Sequence, residues 1–423
     1  MNDPLETDLY EALAREDIDQ LVEFIEQLQN AVDAADETAA RRLQRVEKLE
    51  ADRDVLRARL EQANRTLRRY REHPAGRIAS RLVPTDKPSQ PVAPSAEPAD
   101  ATPPRLANTM RVATILDAIS DACWSPEFEN VRVRRATWES DLQRLEPDVL
   151  FVESAFGGVD GSWAGRIAHF GSPHADLVAL VSTAKDMGIP TVFWNKEDPV
   201  NYGWFIGAAS LFDHVFTVDE DQISRYEDDL PAPSIAVLPF AAQPTLHHPP
   251  PPGAERNDRV AFAGSYYARK HAARREQMQM LLTPALGVGL DIFDRMHGSN
   301  DARFSWPSQF ESCVVGSVPY RDMGDVYRAY GVVANINTVT ASPTMCARRV
   351  FELAACGAPI VSGPSLAIQR IVPKDVATVV TTSSEARSAY EAALELQGTT
   401  VGPEWIAGGH TYADRWQAIV EHL

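Results

Sequence analysis

The chain has 423 residues, 41 Lys and Arg against 59 Asp and Glu, and a formal net charge of −18. A pI near 5.0 excludes nucleic-acid binding as the main activity, because a phosphate backbone demands a basic face. It leaves room for a local basic pocket. No apolar run approaches the ~18–20 residues of a membrane-crossing helix, and the acidic start MNDPLETDLYEA has no signal-peptide core. Cys123, Cys313, Cys346 and Cys356 form no C-x-x-C pair, so a reduced, cytoplasmic protein without a zinc site or disulfide framework is expected.

Residues 1–80 read as a helical arm. Between Leu5 and His73 there is neither Gly nor Pro, and apolar residues such as Ile18, Leu21, Ile25, Leu28, Leu56, Leu60 and Leu67 recur on one heptad frame. That pattern predicts a coiled coil, with a hinge or hairpin near 36–40 as the alternative because Ala35, Ala39 and Arg42 weaken the seam. Residues 1–40 hold one basic and twelve acidic side chains, whereas residues 41–80 hold twelve basic and six acidic. This polarity favours antiparallel pairing with a second copy, a fold-back, or a partner helix through residues 18–70. The Arg-rich end from Arg57 to Arg77 lacks aromatic anchors, so membrane contact is at most peripheral. Residues 81–109 are a Pro- and Ala-rich linker that cannot bury a core.

From Met110 the pattern becomes short β-branched and aromatic runs separated by helix-like segments. RVATILD (111–117), PDVLFVES (147–154), IPTVFWN (189–195), HVFTVD (214–219) and SIAVLPF (234–240) predict buried parallel strands of one domain, residues 110–245. A Pro-rich connector, 246–257, follows. DRVAFAG (258–264), GLDIFD (289–294), GVVANIN (331–337), APIVSG (358–363) and VATVVT (376–381) predict a second domain, 258–403, and residues 404–423 a closing helix that can cross back. The fold class is α/β: two Rossmann-like domains facing a cleft, the GT-B arrangement, preceded by the coiled coil. Ligands in such sheets sit at the carboxyl ends of the strands. The first strand is not followed by a glycine-rich dinucleotide turn, and P-loop, G-x-S-x-G and H-E-x-x-H patterns are missing, which argues against NAD enzymes, NTPases, serine hydrolases and zincins.

Several long stretches carry a resemblance. FVESAFGGVDGSW (151–163), TVFWNKEDPVNYGWF (191–205), FDHVFTVDED (212–221), VAFAGSYYARKHAARR (260–275), VVGSVPYRDM (314–323) and SPTMCARRVFELAACGAPIVSG (342–363) resemble the spore-maturation (CgeB-like) glycosyltransferase family of the GT-B superfamily. The resemblance spans about 110–423. It implies transfer of a sugar from a nucleotide diphosphate sugar to a hydroxyl acceptor, as in surface-glycan or other polysaccharide and glycoconjugate synthesis, with no metal or other cofactor.

By that resemblance the second domain holds the donor. Gly264 and Ser265 let the backbone approach it, and Arg269 and Lys270 neutralise its diphosphate, the alternative being that both cations decorate the helix that begins there. Glu352 matches the position that binds ribose hydroxyls; its alternative is an ion pair with Arg348 or Arg349. The region of Ser342 and Thr344 lacks the second glutamate that many retaining relatives carry, which leaves the stereochemical outcome open, and the two hydroxyls are expected to bind the donor phosphate. Asn335 and Asn337 end a strand in the same region, as ligand contacts or turn formers, and Arg349 completes the donor set. On the acceptor side, Glu153, Lys196, Glu197 and Asp198 lie at strand ends, with Glu153 the first choice of base in an inverting reaction. The alternatives to a transferase are a non-catalytic scaffold binding a sugar nucleotide or glycan, and a sugar-nucleotide epimerase.

Overall fold

The computed structural model describes residues 109–423, apart from 231–233, 269, 270, 300 and 397. The expected coiled coil and its self-association or partner role, most of the linker, and Arg269 and Lys270 therefore lie outside the described residues.

The first lobe is a parallel sheet of β1 (Arg111–Ile115), β2 (Glu129–Arg132), β3 (Val149–Glu153), β4 (Thr191–Asn195), β5 (His214–Thr217) and β6 (Ser234–Val237), in the order β2-β1-β3-β4-β5-β6. β1, β3 and β4 are buried along their whole lengths, which is why they read as continuous apolar runs. Strand order reverses between β1 and β3, so their carboxyl ends splay into a crevice.

The second lobe contains β7 (Asn257–Ala263), β8 (Leu290–Phe293), β9 (Val314–Gly316), β10 (Tyr330–Asn335), β11 (Ile360–Ser362) and β12 (Ala377–Val379). Their order is β12-β11-β10-β7-β8-β9, all parallel, with the reversal between β7 and β10. Two doubly wound parallel sheets with helices on their faces fit the expected GT-B architecture. β2 and β9 were not expected from sequence. Both are edge strands without a buried residue, so neither carries a long apolar run.

The lobes share one core. Trp124, Phe128 and Phe151 of the first lobe pack with Tyr412 and Trp416 of the last helix, Tyr412–Val420, which crosses back from the second lobe. Arg415 on that helix donates to the carbonyls of Pro239 and Phe240. The connector also packs. His247 is buried, accepts the Gln243 amide at its Nδ1, and lies edge-on to Tyr320 at 5.8 Å. Arg256 ends the connector by donating to the carbonyls of Tyr327 and Cys356. Among the described residues no helix is long and apolar enough to cross a membrane.

Candidate active site

The facing carboxyl ends of the two sheets enclose a cleft of about 500 Å³, within the usual range for small-molecule sites. Its second-lobe wall begins where β7 ends. Gly264 sits at φ +153°, and an added Cβ would meet Phe262 at 3.1 Å and the Arg349 guanidinium at 3.3 Å. The positive φ, with two side chains this near, favours glycine here. Ser265 follows, and from across the wall come Arg274, on the helix Ala272–Ala285, and Arg349, opening the helix Arg349–Ala355.

These groups are underemployed. Arg274 donates through Nη1 to the Ile336 carbonyl at 3.2 Å, and Arg349 lies over the Phe262 ring. The Nε of Arg274, the Nε of Arg349 and the Oγ of Ser265 are buried and find no partner among the described residues. Burial, together with the neighbouring Arg349, pushes the Arg274 guanidinium down to about 10. A desolvated cation beside a second one favours an anion between them.

Glu352 lies deeper and pairs with neither Arg348 nor Arg349. Its Oε1 accepts from Tyr320 at 2.6 Å and its Oε2 from Tyr327 at 3.3 Å. A carboxylate has further lone pairs, so the Tyr320–Glu352–Tyr327 set still presents an acceptor to the cleft.

The first-lobe wall is built on the reversal between β1 and β3. Asp117 caps the helix Ala118–Trp124 by accepting the amides of Ile119 and Ser120 at 2.9 Å each. Its other oxygen takes the Lys196 ammonium, which also donates to Glu153 at 2.9 Å. Burial lowers the Lys196 ammonium, but Glu153 and Asp117 outweigh it and hold the group above its ordinary range. Against the upward pull of burial, Lys196 and Arg348 hold Asp117 well below the usual carboxylate range. Glu153, fully buried and close to Asp117, is raised. Arg348 reaches in from the second lobe, donates to Ser120 Oγ at 3.1 Å and lies over the Phe240 ring.

Several expected site residues lie elsewhere. Glu153 is beneath Lys196 and shut off from the cleft, so the structure does not offer it as a base. Asp198 is also buried, held by Asn195 at 2.8 Å, Thr217 at 2.6 Å and Tyr226 at 2.9 Å, where it ties β4 to β5. Ser342 donates to Asp219, and Thr344 donates to the Val218 carbonyl at 2.9 Å. Both hydroxyls are spent joining the lobes. Asn335 and Asn337 are buried on Ser362 at 3.0 and 3.1 Å, where they lock the ends of β10 and β11. Gly264, Ser265, Lys196, Glu197, Arg349 and Glu352 do line the cleft. The sequence reading missed Asp117, Arg274 and Arg348. Asp117 was visible as the carboxylate following β1, by the strand-end logic applied to Glu153. Arg274 lies within the stretch VAFAGSYYARKHAARR (260–275), four residues beyond Lys270.

Asp198 gives a pH prediction. Burial pushes its carboxyl up to about 7 from an ordinary 3.8. The folded state then binds a proton that the unfolded chain releases, so this contribution to stability is complete below the ordinary value and is lost as pH rises through about 7. Between pH 5 and 8 the wild-type melting midpoint should fall relative to that of Asp198→Asn. Parallel midpoint curves would contradict the assignment.

No curated protein sequence matches the chain. Among solved structures, sucrose-phosphate synthase from Thermosynechococcus elongatus is 10% identical with a TM-score of 0.41, over 68% of this chain and 75% of that one. Anabaena HepE in complex with UDP-glucose is 14% identical with a TM-score of 0.43, over 68% of this chain and 80% of that one. T4 phage BGT in complex with UDP and Mn2+ is 12% identical with a TM-score of 0.40, over 67% of this chain and 85% of that one. Residues 274–421, which carry Arg274, Arg348, Arg349 and Glu352 of the cleft wall, match the family model described as glycosyl transferase-like.

Proposed function

We propose that the protein is a glycosyltransferase that takes a sugar from a nucleotide diphosphate sugar and passes it to a hydroxyl acceptor across the cleft. The observation that carries this reading is the buried, unpartnered set of Arg274 Nε, Arg349 Nε and Ser265 Oγ at the carboxyl end of β7. A diphosphate supplies the missing acceptors for all three, and the β7/β10 reversal is where a doubly wound sheet binds nucleotides. The family match over 274–421 supports the same chemistry on the same lobe. Membership of the CgeB-like family, action in glycan or glycoconjugate synthesis and a cytoplasmic location belong to this proposal, supported by the sequence stretches that carry the resemblance.

Catalysis follows from charge. As the glycosidic bond to the diphosphate breaks, negative charge grows on the leaving oxygen. Arg274 and Arg349 are already desolvated and fixed, so they stabilise that charge without reorganisation. Arg269 and Lys270 join them in this proposal, and no metal is assigned to the step. Glu352 takes a ribose hydroxyl beside its two tyrosines. On the acceptor wall, Asp117 and Glu153 are committed to Lys196, whereas Glu197 lines the cleft and, among the described residues, engages one oxygen, with the Asn201 side-chain amide at 2.7 Å. Glu197 is therefore the proposed base of an inverting reaction. Glu197→Gln should lower kcat by about 10²–10⁴ with donor KM unchanged. Undiminished kcat would exclude Glu197 as the base.

The reading is tested by melting curves with UDP, GDP, ADP, TDP and the matching monophosphates. One diphosphate should stabilise the chain, by about 2.7 kcal/mol at a hundredfold excess over its Kd, and its monophosphate far less. Equal shifts from mono- and diphosphate, or none from any of them, would overturn it.

A further inference from the structure

The first lobe carries an apolar face that the donor site does not use. Phe156 is 55% exposed, Phe170 69% and Trp204 47%, and Val159 and Val200 are exposed with them. Scattered exposed apolar residues are ordinary, but clustered aromatic ones mark an interaction face. These rings are held in place. Phe170 meets Trp204 edge-on at 5.7 Å, and Phe156 meets Phe205 at 5.4 Å, so the two pairs bracket the helix Tyr202–Ala209. Gly203 on that helix makes room for Phe170, since a Cβ there would come within 3.1 Å of the ring.

A cavity of about 170 Å³ opens on the same loop, between Val159, Asp160 and Trp163 on one side and Arg132 and Arg134 on the other. Hydrogen bonding of the Trp163 indole to the Val133 carbonyl at 2.8 Å fixes its floor. The cavity lies at the carboxyl ends of β1 and β2, on the same side of the sheet as Asp117 and the cleft.

Charge selects the occupant. Residues 110–245 carry nine Lys and Arg against twenty-one Asp and Glu. Beside the patch, Arg135 and Arg166 are both neutralised on Asp176, at 3.0 and 3.2 Å. A lobe with this excess of negative charge repels anionic lipid surfaces and acidic polymers. A neutral sugar meets no such penalty. Its C–H faces lie on aromatic rings, whose faces carry partial negative charge, and its hydroxyls pair with groups such as Asp160 and Arg134.

We propose that this aromatic face and its cavity bind a neutral glycan, which serves as the acceptor. The acceptor role rests on the transferase reading; glycan binding itself does not. The test uses the full chain and the double variant Phe170→Ala/Trp204→Ala. Both would be applied to an array of neutral and acidic oligosaccharides and to phosphatidylcholine and phosphatidylglycerol vesicles. Melting curves with nucleotide diphosphates run in parallel. The proposal expects binding to neutral oligosaccharides alone, weakened about tenfold or more in the double variant, with the nucleotide shift unchanged. Absence of neutral-glycan binding, equal binding by the double variant, or preference for vesicles or acidic glycans would overturn it. If the nucleotide shift is present while the glycan arm fails, the platform is wrong and the donor site stands. Glycan binding that is lost in the variant, without any nucleotide shift, would keep the platform and overturn the transferase reading.

Discussion

Replacing Arg274 and Arg349 together by Met should abolish stabilisation by nucleotide diphosphates while leaving the unliganded chain as stable as before, or more so. Each arginine contributes charge-assisted hydrogen bonds to the diphosphate. The loss of one such bond costs about 1.5–3 kcal/mol, or about ten- to a hundredfold in affinity. The opposite sign in the unliganded protein follows from desolvation. Arg274 is pushed down to about 10 by burial and by Arg349, so its charge is held against its preference for water. Met keeps the aliphatic packing of each stem and removes the repulsion. A structural pair of arginines would behave otherwise, losing stability without ligand. Melting curves of wild type and double variant, with and without the diphosphate, separate the two cases. A midpoint several degrees lower without ligand, with the nucleotide shift intact, would show that these cations serve the fold.

Lys196→Met should produce the largest loss of stability of any single change at the cleft, about 3–5 kcal/mol, because it strands Glu153 as a buried carboxylate without its cation. Glu153 already has one oxygen, Oε2, that is buried and without a partner among the described residues. Adding Glu153→Gln to Lys196→Met should restore most of the loss, since an amide carries no charge to strand. Denaturant titration of the single and double variants measures both effects. If the two variants are equally unstable, the ion pair is not the source.

Within the same cluster, Asp117 and Lys196 contribute no pH dependence of stability at mid pH. Asp117 is held low, so its contribution is complete above the ordinary value of 3.8 and is lost only as pH falls through its depressed folded value. Lys196 is held high, so its contribution is complete below the ordinary 10.5 and is lost as pH rises through its raised folded value. Glu153 is raised by burial and by Asp117, so its contribution is complete below the ordinary 4.5 and is lost as pH rises through its raised folded value, where Lys196 then offsets its charge.

The sheets were legible in the sequence because parallel strands buried on both faces must be apolar throughout. RVATI, VLFVE and TVFWN announce themselves, whereas the edge strand ENVR does not. Strand-end logic also brought out Lys196, Glu197, Gly264 and Ser265. It could not separate residues that face the cleft from residues that bind each other. Asn335, Asn337, Ser342, Thr344 and Asp198 occupy the expected strand ends and loops, yet their partners are Ser362, Asp219, Val218, Thr217 and Tyr226, set by packing between elements far apart in the chain. Arg274 illustrates the converse. Nothing in its local sequence distinguishes it from Arg275. Helical phase turns Arg274 towards β10, where its Nη1 meets the Ile336 carbonyl, and Arg275 towards the Tyr267 carbonyl.

The cations at the end of β7 are proposed to hold the diphosphate of a nucleotide sugar. A crystal structure of the full chain with the nucleotide diphosphate that shifts its melting midpoint most tests this directly. Phosphate oxygens are expected within hydrogen-bond distance of Ser265 Oγ and of the Nε atoms of Arg274 and Arg349, with the ribose towards Glu352. Phosphates bound elsewhere, with those three atoms still unpaired, would contradict it.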